Sequence, residues 1–428
     1  MIRRNVIIAI LALSVALCGT LPAFAGGDAR LSVNSDPVTL FNVIIEDGHS
    51  MVSVDAFARF AGAEVDFVSE KNIKITEENK TLEITVGNKD ALLENKPVTL
   101  PFAPVKTEDR LFVPLRFTCE TFGFDVGWDN DKKMIMLNRS ETRDGMTPSE
   151  LLVKSNKITQ DINTYSMDGT MDMQMQIKAD GKVIEEAPQN ISIEMSGQIQ
   201  NEPMEFYFKQ KMAPLIQGET PEMTTETYMT TEKMYVKSPA QEEWIVQDMT
   251  FPAEFWQEQR DIQSDPLKAA QQMKEMGMLL NFGNDVQIDG KDYYVVNATL
   301  DMNKFQEGYQ QMMQQVAQGM NFQGDQEELG QQMEQLLENM KIDYYYQAYI
   351  NKESLVNDIV KFDARVDLNI NAAQMGVEQN PDAPKEMNIH YDMKGEFKIF
   401  GLGEPFTAPD VSNAQDMKTL EEKVQSEE

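Results

Sequence analysis

The side chains that most often catalyse reactions or bind transition metals are scarce in this sequence. It contains two histidines, His49 and His390, and two cysteines, Cys18 and Cys119. Copper sites are built from clustered His, Cys or Met ligands, and the two histidines lie far apart in the chain. Neither belongs to a pattern typical of nucleophilic catalysis, although Ser50 follows His49. The sequence therefore predicts no catalytic triad, no metal site and no cofactor.

Carboxylates are the one abundant reactive group, with 70 Asp and Glu residues against 38 Lys and Arg residues and a net charge of -32. Because acids are so frequent, no pair stands out as a general acid and base. The segment Asp129-Asn130-Asp131 begins like a calcium loop, but it lacks the later Gly and Glu of such a loop. We interpret it as a hairpin turn. The acidic surface repels phosphate backbones, which argues against nucleic-acid binding.

The first 25 residues have the three parts of an export signal. Arg3 and Arg4 form the basic start, residues 6–17 form the apolar centre, and Ala23-Phe24-Ala25 is a small-x-small cleavage site. We predict cleavage after Ala25. No later stretch reaches transmembrane length, so we expect a mature protein that is secreted or associated with the cell surface, with no transmembrane segment after signal removal.

Cysteine usage leaves lipidation open. Cys18 would be the first mature residue of a lipoprotein, but Leu17 precedes it, where such signals favour Gly, Ala or Ser. If Cys18 leaves with the signal, Cys119 is the only remaining cysteine and no internal disulfide can form. Export without disulfides is typical of a Gram-positive or anaerobic bacterium.

One stretch of the N-terminal region occurs twice in related form. Residues 46–75 and 108–137 align when Gly62 is placed on Gly123. Each copy predicts a polar turn, a short strand, a helix that ends at the glycine, and a hairpin. The predicted helices cover residues 55–61 and 115–122. Their aromatic residues are expected to form a core beneath a small sheet, namely Phe57, Phe60, Phe117 and Phe122.

The second copy contains Val113-Pro114-Leu115-Arg116, then Gly123, Val126 and Trp128-Asp129. Because of these motifs, the segment 31–139 resembles the copper amine oxidase N-terminal-like domain of bacterial secreted and cell-surface proteins. The first copy departs from the pattern, with Ser53 in place of Pro114 and Phe67 in place of Trp128. The resemblance implies a small two-repeat α+β accessory module. It implies neither a copper site nor amine oxidation.

A polar segment, residues 140–147, is predicted to link this module to a larger second region. Apolar residues at helical spacing follow between Leu151 and Ile162. Beyond them the sequence alternates apolar and polar residues in a series of strands. The clearest apolar stripes are Met171, Met173, Met175 and Ile177; Ile191, Ile193, Met195 and Ile199; Met204, Phe206, Phe208 and Met212; and Val360, Phe362, Ala364, Val366, Leu368 and Ile370.

Two helical blocks interrupt these strands, at Pro266–Leu280 and Phe305–Met340. Each carries a single apolar stripe that must be buried against another element. We therefore predict an α+β fold in which, over residues 148–407, a curved antiparallel β-sheet wraps around inserted helices. Residues 408–428 are acidic and short of large apolar residues, which predicts a disordered tail.

Several hairpin segments of the second region carry a family resemblance, namely residues 164–169, 234–237, 244–247, 289–294 and 400–405. They are similar to the LolA/LppX-like group of exported lipoprotein and lipid carriers. They are also similar to a family of uncharacterised secreted or lipoprotein domains of Gram-positive bacteria. In the carrier group a concave sheet and its helices enclose an apolar cavity, so the resemblance implies a lipid-like ligand.

Methionine is frequent, with 29 residues, and it lines adaptable apolar surfaces because it is flexible and polarisable. One interpretation is a cavity for an acyl chain or another apolar ligand. The alternative is an ordinary core that is filled with methionine. The residues that would line a cavity are Met171, Met173, Met175, Phe206, Phe208, Met273, Met312, Met333 and Phe362.

These observations favour an exported bacterial protein that acts at the cell envelope and is not an enzyme. Its second domain would bind a lipid or other apolar ligand, or a cell-wall or surface protein partner. The alternatives are a purely structural or adhesive surface protein with a filled core and, less favoured, a carboxylate-based hydrolase.

Overall fold

The structure is a computed structural model of the chain. It describes residues 30–38, 43–107, 110–184, 190–215, 223–239, 241–249, 273–274, 277–300, 340–371 and 384–417. The predicted export signal, most of the two predicted helical blocks, and residues 418–428 lie outside these ranges.

Residues 30–138 form an α+β module with three small sheets. The strands are β1 (Arg30–Val33), β2 (Asp36–Val38), β3 (Val43–Glu46), β4 (His49–Ser53), β5 (Glu64–Phe67), β6 (Asn72–Glu77), β7 (Lys80–Thr85), β8 (Asp90–Leu93), β9 (Lys96–Thr99), β10 (Val105–Thr107), β11 (Arg110–Pro114), β12 (Asp125–Asp129) and β13 (Met134–Asn138). The sheets have the orders β12-β13-β1-β2, β10-β11-β4-β3 and β5-β6-β7-β8-β9. Strands β4 and β11 pair antiparallel, with Val52 opposite Val113.

Two short helices close this module, α1 (Val54–Ala61) and α2 (Leu115–Thr121). The hydroxyl of Ser53 accepts a hydrogen bond from the backbone N–H of Ala56 at 3.2 Å and so caps α1. Gly62 ends α1 in the left-handed conformation, with φ of 74°. The core prediction is confirmed, because Phe57, Phe60 and Phe122 are buried and Phe117 packs against them.

Helix α3 (Pro148–Asp161) opens the second region and confirms the predicted helix. Thr147 and Glu150 form a capping box, in which the Thr147 hydroxyl accepts from the Glu150 N–H and the Glu150 carboxylate accepts from the Thr147 N–H. Pro148 occupies the first turn, where a missing N–H is harmless. Leu151 and Leu152 are buried against the sheet that follows.

Within the described residues, fourteen strands form one large sheet. They are β14 (Thr164–Ala179), β15 (Lys182–Val183), β16 (Asn190–Gln200), β17 (Glu205–Leu215), β18 (Met223–Thr230), β19 (Lys233–Ser238), β20 (Gln241–Asp248), β21 (Met278–Phe282), β22 (Val286–Ile288), β23 (Lys291–Leu300), β24 (Met340–Asn351), β25 (Asn357–Asn371), β26 (Glu386–Phe400) and β27 (Gln415–Asp416). Their order is β21-β23-β24-β25-β26-β14-β16-β17-β18-β19-β20-β27, with β15 beside β14 and β22 beside β23. The pairs are antiparallel except β20–β27, which confirms the predicted antiparallel sheet.

Two boundaries differ from the sequence prediction. The predicted helix at Pro266–Leu280 cannot reach Leu280, because residues 278–282 form strand β21 beside β23. Gly277, with φ of 76°, precedes the strand in a conformation that no helix contains. The predicted disordered tail is wrong for residues 408–417, because Gln415 and Asp416 pair with the edge strand β20.

The N-terminal module docks on one face of the large sheet, over β21, β23 and β24. Leu279 of β21 packs against the core of the module. The side-chain amide of Asn281 donates to the backbone carbonyl of Arg59 at 2.6 Å, and Arg59 forms an ion pair with Asp343. The Arg59 guanidinium also lies over the ring of Tyr345, 5.6 Å from its centroid. The two parts of the chain therefore share a polar and an apolar interface.

Two arginines lie where the two regions join: Arg139 ends the predicted module, and Arg143 lies in the predicted linker, residues 140–147. Arg139 pairs with Glu77 and, at 3.1 Å, with Glu141, and its guanidinium lies 4.4 Å from the centroid of the Phe124 ring. Arg143 lies 3.3 Å from Glu141 and 3.6 Å from Asp285. These groups lie mostly out of solvent, so their pairing orders residues 139–143 between the two regions.

We predict that Gly62→Ala weakens this interface. A Cβ at Gly62 would overlap the carbonyl oxygen of Phe282 and lie 2.7 Å from the Asn281 Oδ1 atom. The matched control is Gly48→Ala, because Gly48 has φ of +79° and no atom within 4 Å of the added carbon. Left-handed strain should cost both variants about 1–2 kcal/mol. Gly62→Ala should lose a further 1–3 kcal/mol or so through overpacking.

Urea unfolding of both variants measures this difference. Equal losses of unfolding free energy would show that the contact between Gly62 and Phe282 does not hold the two regions together.

Candidate functional site

Antiparallel pairing sorts the residues of the large sheet into rows that share a face, because directly opposed side chains point the same way. Alternate residues of β14 from Tyr165 to Ile177 define seven such rows, which we call the inner face. The row through Met171 runs from β21 to β18 and contains Leu280, Ala298, Tyr346, Phe362, Gly395, Met171, Ile193, Met212 and Met223. The apolar stripes predicted from the sequence therefore meet on one surface.

Among the residues that the structure describes, the seven rows of the inner face contain no Asp, Glu, Lys, Arg or His. The intervening rows form the outer face, where charged residues alternate in sign across the strands. The row through Asp172, for example, contains Lys394 and Asp363. For a chain with a net charge of -32, this separation of charge between two faces is complete. A surface of this kind accepts apolar groups and rejects ions.

Burial divides the inner face into two parts. Around β14, β25 and β26, residues such as Met171, Met175, Val366 and Met393 are 1–8% exposed. Towards the β16–β17 hairpin the face is only half-buried. This half-buried part consists of Met167, Met195, Ile199, Phe206, Phe208, Phe397 and Ile399.

Three glycines mark the border between these parts, on the neighbouring strands β26, β14 and β16. They are Gly395, Gly169 and Gly197, and each step from strand to strand moves one row along the face. An aromatic ring from the opposed residue covers each glycine. The pairs are Phe362 over Gly395, Phe397 over Gly169, and Phe208 over Gly197.

The glycines are needed because the rings occupy the space of a side chain. A Cβ at Gly169 would overlap the Phe397 ring, and it would lie 2.8 Å from a second atom of that ring. With no Cβ in the way, each ring lies against the backbone instead of standing upright. The Phe362 and Phe397 rings are nearly parallel, 7° apart with centroids separated by 5.8 Å. The diagonal of glycines thus produces a smooth aromatic floor.

The structure places most of the predicted cavity residues on this face. Met171, Met173, Met175, Phe206, Phe208 and Phe362 all belong to the inner face. Met273 packs near one end of it, with the cluster around Leu151 and Phe282. Met312 and Met333 lie outside the described residues. The role of this set as a ligand cavity stays a prediction.

Sequence reasoning missed the three glycine–aromatic pairs. Gly169, Gly197 and Gly395 interrupt apolar stripes, and a glycine inside a strand is a signal of close approach by another group. That signal identifies the position but not the partner ring. The Tyr344-Tyr345-Tyr346 run alternates between the two faces, with Tyr344 in the inner row of Ala364 and Tyr345 in the outer row of Asp363.

Comparison with protein families accounts for both regions. Residues 32–137 match the copper amine oxidase N-terminal domain, which confirms the resemblance of the first module. Residues 147–398, more than half of the chain, match a family of unknown function, DUF6612. The chain belongs to the DUF6612 family. The similarity of the second region to a family of uncharacterised domains is therefore confirmed, whereas no protein with a curated description matches the sequence significantly.

Solved structures similar to this DUF6612 protein include LprF from Mycobacterium bovis. That match has 13% identity, covers 62% of this chain and 96% of the other, and has a TM-score of 0.27. Another is a putative outer membrane lipoprotein-sorting protein domain from Vibrio parahaemolyticus. It has 11% identity, covers 59% of this chain and 94% of the other, and has a TM-score of 0.19. Because both TM-scores are low, the fold of the DUF6612 region is described from its own strand order and not from these two structures.

Other potentially reactive groups lie apart from the inner face. His390 is on the outer face, with Nδ1 at 2.6 Å from Asp367 and Nε2 at 3.0 Å from Asp392. Desolvation lowers the pKa of His390, but the hydrogen bonds and charges of the two carboxylates outweigh it and raise the pKa overall. Cys119 is buried in the first module, and burial raises the pKa of its thiol. Two carboxylates surround His390, and the hydrophobic core of the first module surrounds Cys119.

Within the described residues, no three His, Cys, Asp or Glu side chains converge on a point where a metal ion could sit. The same part of the chain contains no helix with the length and apolarity required to cross a bilayer. His49, the other histidine, lies at the exposed start of β4 with its ring 5.3 Å from that of Phe102.

The interface arginines generate a prediction about pH. Burial raises the pKa of Glu77 from 4.5 to about 7, even though Arg139 acts in the opposite direction. A carboxyl whose folded pKa is raised contributes stability below its unfolded pKa and loses it as the pH rises through the folded value. Glu77→Gln stays neutral, so its stability relative to wild type should increase by roughly 2–3 kcal/mol between about pH 4.5 and 8.

Urea unfolding at several pH values tests this difference. Glu83→Gln, at an exposed position on the neighbouring strand β7, is the control and should show no such trend. If the two variants respond alike to pH, the ionisation of Glu77 does not lower the unfolding free energy of the protein.

Proposed function

We propose that this DUF6612 protein is an exported, non-enzymatic component of a bacterial cell envelope that binds a lipid-like apolar ligand on the inner face of its large sheet. The observation that carries the proposal is that the seven rows of that face, as far as the structure describes them, contain no charged residue. Export follows from the signal predicted at residues 1–25, with cleavage after Ala25, and this implies a secreted or surface-associated location.

The half-buried part of the face favours a bound ligand. Phe206 and Phe208 contact each other, with ring centroids 5.6 Å apart, yet both remain partly exposed. Covering an aromatic side chain stabilises a complex by about 1.5–3 kcal/mol for full burial. Several such side chains on one smooth surface supply enough apolar area to hold a lipid chain in water.

The N-terminal module supports a second, accessory role as a contact for a cell-wall or surface protein partner. Phe67 and Trp128 occupy equivalent positions in the two predicted copies of the repeat, and they are 62% and 47% exposed. The Trp128 Nε1–H donates to Asn130 at 2.9 Å, which fixes the orientation of the indole. Exposed aromatic side chains on hairpins are frequent contact residues. The equivalence of the two positions also supports an origin of the module by internal duplication.

A structural surface protein is the second candidate function. The nearly complete burial of Met171, Val366 and Met393 favours it, because that part of the inner face is a filled core and offers no space to a ligand. The two candidate functions therefore make different predictions for the half-buried part of the inner face, which binds a ligand only in the first.

A pair of neighbouring variants on β16 tests ligand binding. Met195 lies on the inner face and Ser196 on the outer face. We expect Met195→Glu to lower the amount of lipid that co-purifies with the protein at least tenfold, because a carboxylate among apolar side chains repels an acyl chain. Ser196→Glu adds the same charge opposite Lys209 and should retain the lipid.

Native mass spectrometry after gentle extraction measures the bound lipid, and circular dichroism verifies that both variants fold. A wild-type protein that is recovered without any apolar ligand, and that takes up none from lipid vesicles, would contradict the proposal and favour the structural role.

A further inference from the structure

We infer that the ligand of the inner face is a lipid whose single extended acyl chain lies diagonally across the sheet. Its path follows Tyr344, Phe362, Phe397, Phe208 and Phe206, which we call the aromatic belt. The inference rests on the proposed function and adds to it the class of ligand, the direction of binding and the residues that decide how long a chain is held.

The belt follows the glycine diagonal. Phe362 on β25 and Phe397 on β26 cover Gly395 and Gly169, and Phe208 on β17 covers Gly197 from the other side. Tyr344 continues the line beyond Phe362, with ring centroids 6.3 Å apart and planes 26° apart. Because the rings of Phe362, Phe397 and Phe208 lie against the backbone, they form a shallow trough, and Phe206 borders it with its plane tilted by 51° from that of Phe208. An extended methylene chain matches such a trough along its whole length.

Exposure separates the belt from the buried part of the inner face. All five belt residues are partly exposed, whereas Met171, Met393 and Val366 beside them are 8% exposed or less. The belt is thus a surface to which apolar atoms can still be added.

The length of the belt matches a lipid chain. Strands β24 to β17 are six neighbours in the sheet, with five spacings between them. At about 4.8 Å for each spacing, the belt is roughly 24 Å long across the strands alone. A chain in one leaflet spans about half of the 30 Å hydrocarbon core of a bilayer. The belt therefore has room for the whole chain, and the polar headgroup can remain in solvent.

Hydrogen bonding argues against an extended apolar peptide as the occupant. The backbone groups under the belt are paired within the sheet, and Gln210 and Thr225 are among the few inner polar side chains near it. An extended peptide on this floor would lose the hydration of its N–H and C=O groups and find few partners, which costs about 1–3 kcal/mol for each group. An acyl chain has no such groups to satisfy.

The test uses the full chain, freed of bound lipid, and a fluorescent fatty acid that unlabelled saturated fatty alcohols displace. Affinity should increase about fourfold with each added methylene and then level off once the chain exceeds the belt. The alcohols carry no charge, so their length series reports contact with the floor and not attraction to a headgroup.

Two variants locate the path. Phe397→Ala and Phe208→Ala each remove one ring of the belt and should weaken binding of the longest alcohols about tenfold, with little effect on the shortest. Val366→Ala is the control, because it truncates a buried residue of the same face outside the belt. It should lower stability and leave the length series unchanged.

The outcomes separate the two proposals. If no alcohol displaces the probe, both the lipid path and the proposed function are wrong. If alcohols bind without dependence on length, or if Val366→Ala changes the series as much as the belt variants do, the path is wrong while apolar binding stands. Displacement by an apolar peptide as effective as that by the longest alcohols would also overturn the assignment of an acyl chain. The length series in the wild-type protein decides the matter even if a belt variant fails to fold.

Discussion

The pairing register of the large sheet is the constraint on which the rest of the structure depends. Side chains alternate between faces with a period of two, so a slip of one residue at any strand would move its apolar residues to the outer face and its charges to the inner face. Strand β14 lies at the centre and pairs with β26 from Ser166 to Ala179 and with β16 from Thr164 to Gln174. This long pairing holds Met171, Met173 and Met175 on one side.

The outer face is covered at both ends, which explains the presence of the other parts of the chain. The N-terminal module docks over β21, β23 and β24, and the partly buried pairs of Arg139 and Arg143 order the connecting segment. At the opposite end, residues 401–416 cross the outer face. Phe406 stacks on Tyr228, and β27 pairs with the edge strand β20, which would otherwise expose unpaired backbone groups. Both contacts lie on the outer face.

The sequence predicted helices and strands correctly where the apolar residues followed a single periodicity. The alternation in residues 171–177 and 360–370 predicted strands correctly, and the helices at residues 55–61 and 115–122 were correct to within a residue. The prediction failed where the same apolar residues fitted both the helical period and the strand period. Leu280 matched a helical stripe as well as a strand, and the pairing of β21 with β23 decided between them. The tail was similarly misjudged because its acidic composition does not reveal the neighbouring strand edge.

The sequence by itself determined which residues are apolar and that they recur at every second position, and this was sufficient to predict a one-sided antiparallel sheet. Only the tertiary structure decided which strands are neighbours. That order brings Phe397 over Gly169 and Phe208 over Gly197, and it places the module of residues 30–138 on the outer face. The physical reason is that periodicity is a local property of the chain, whereas a ring can cover a glycine only when a second strand, distant in sequence or joined by a hairpin, is held in one register beside it.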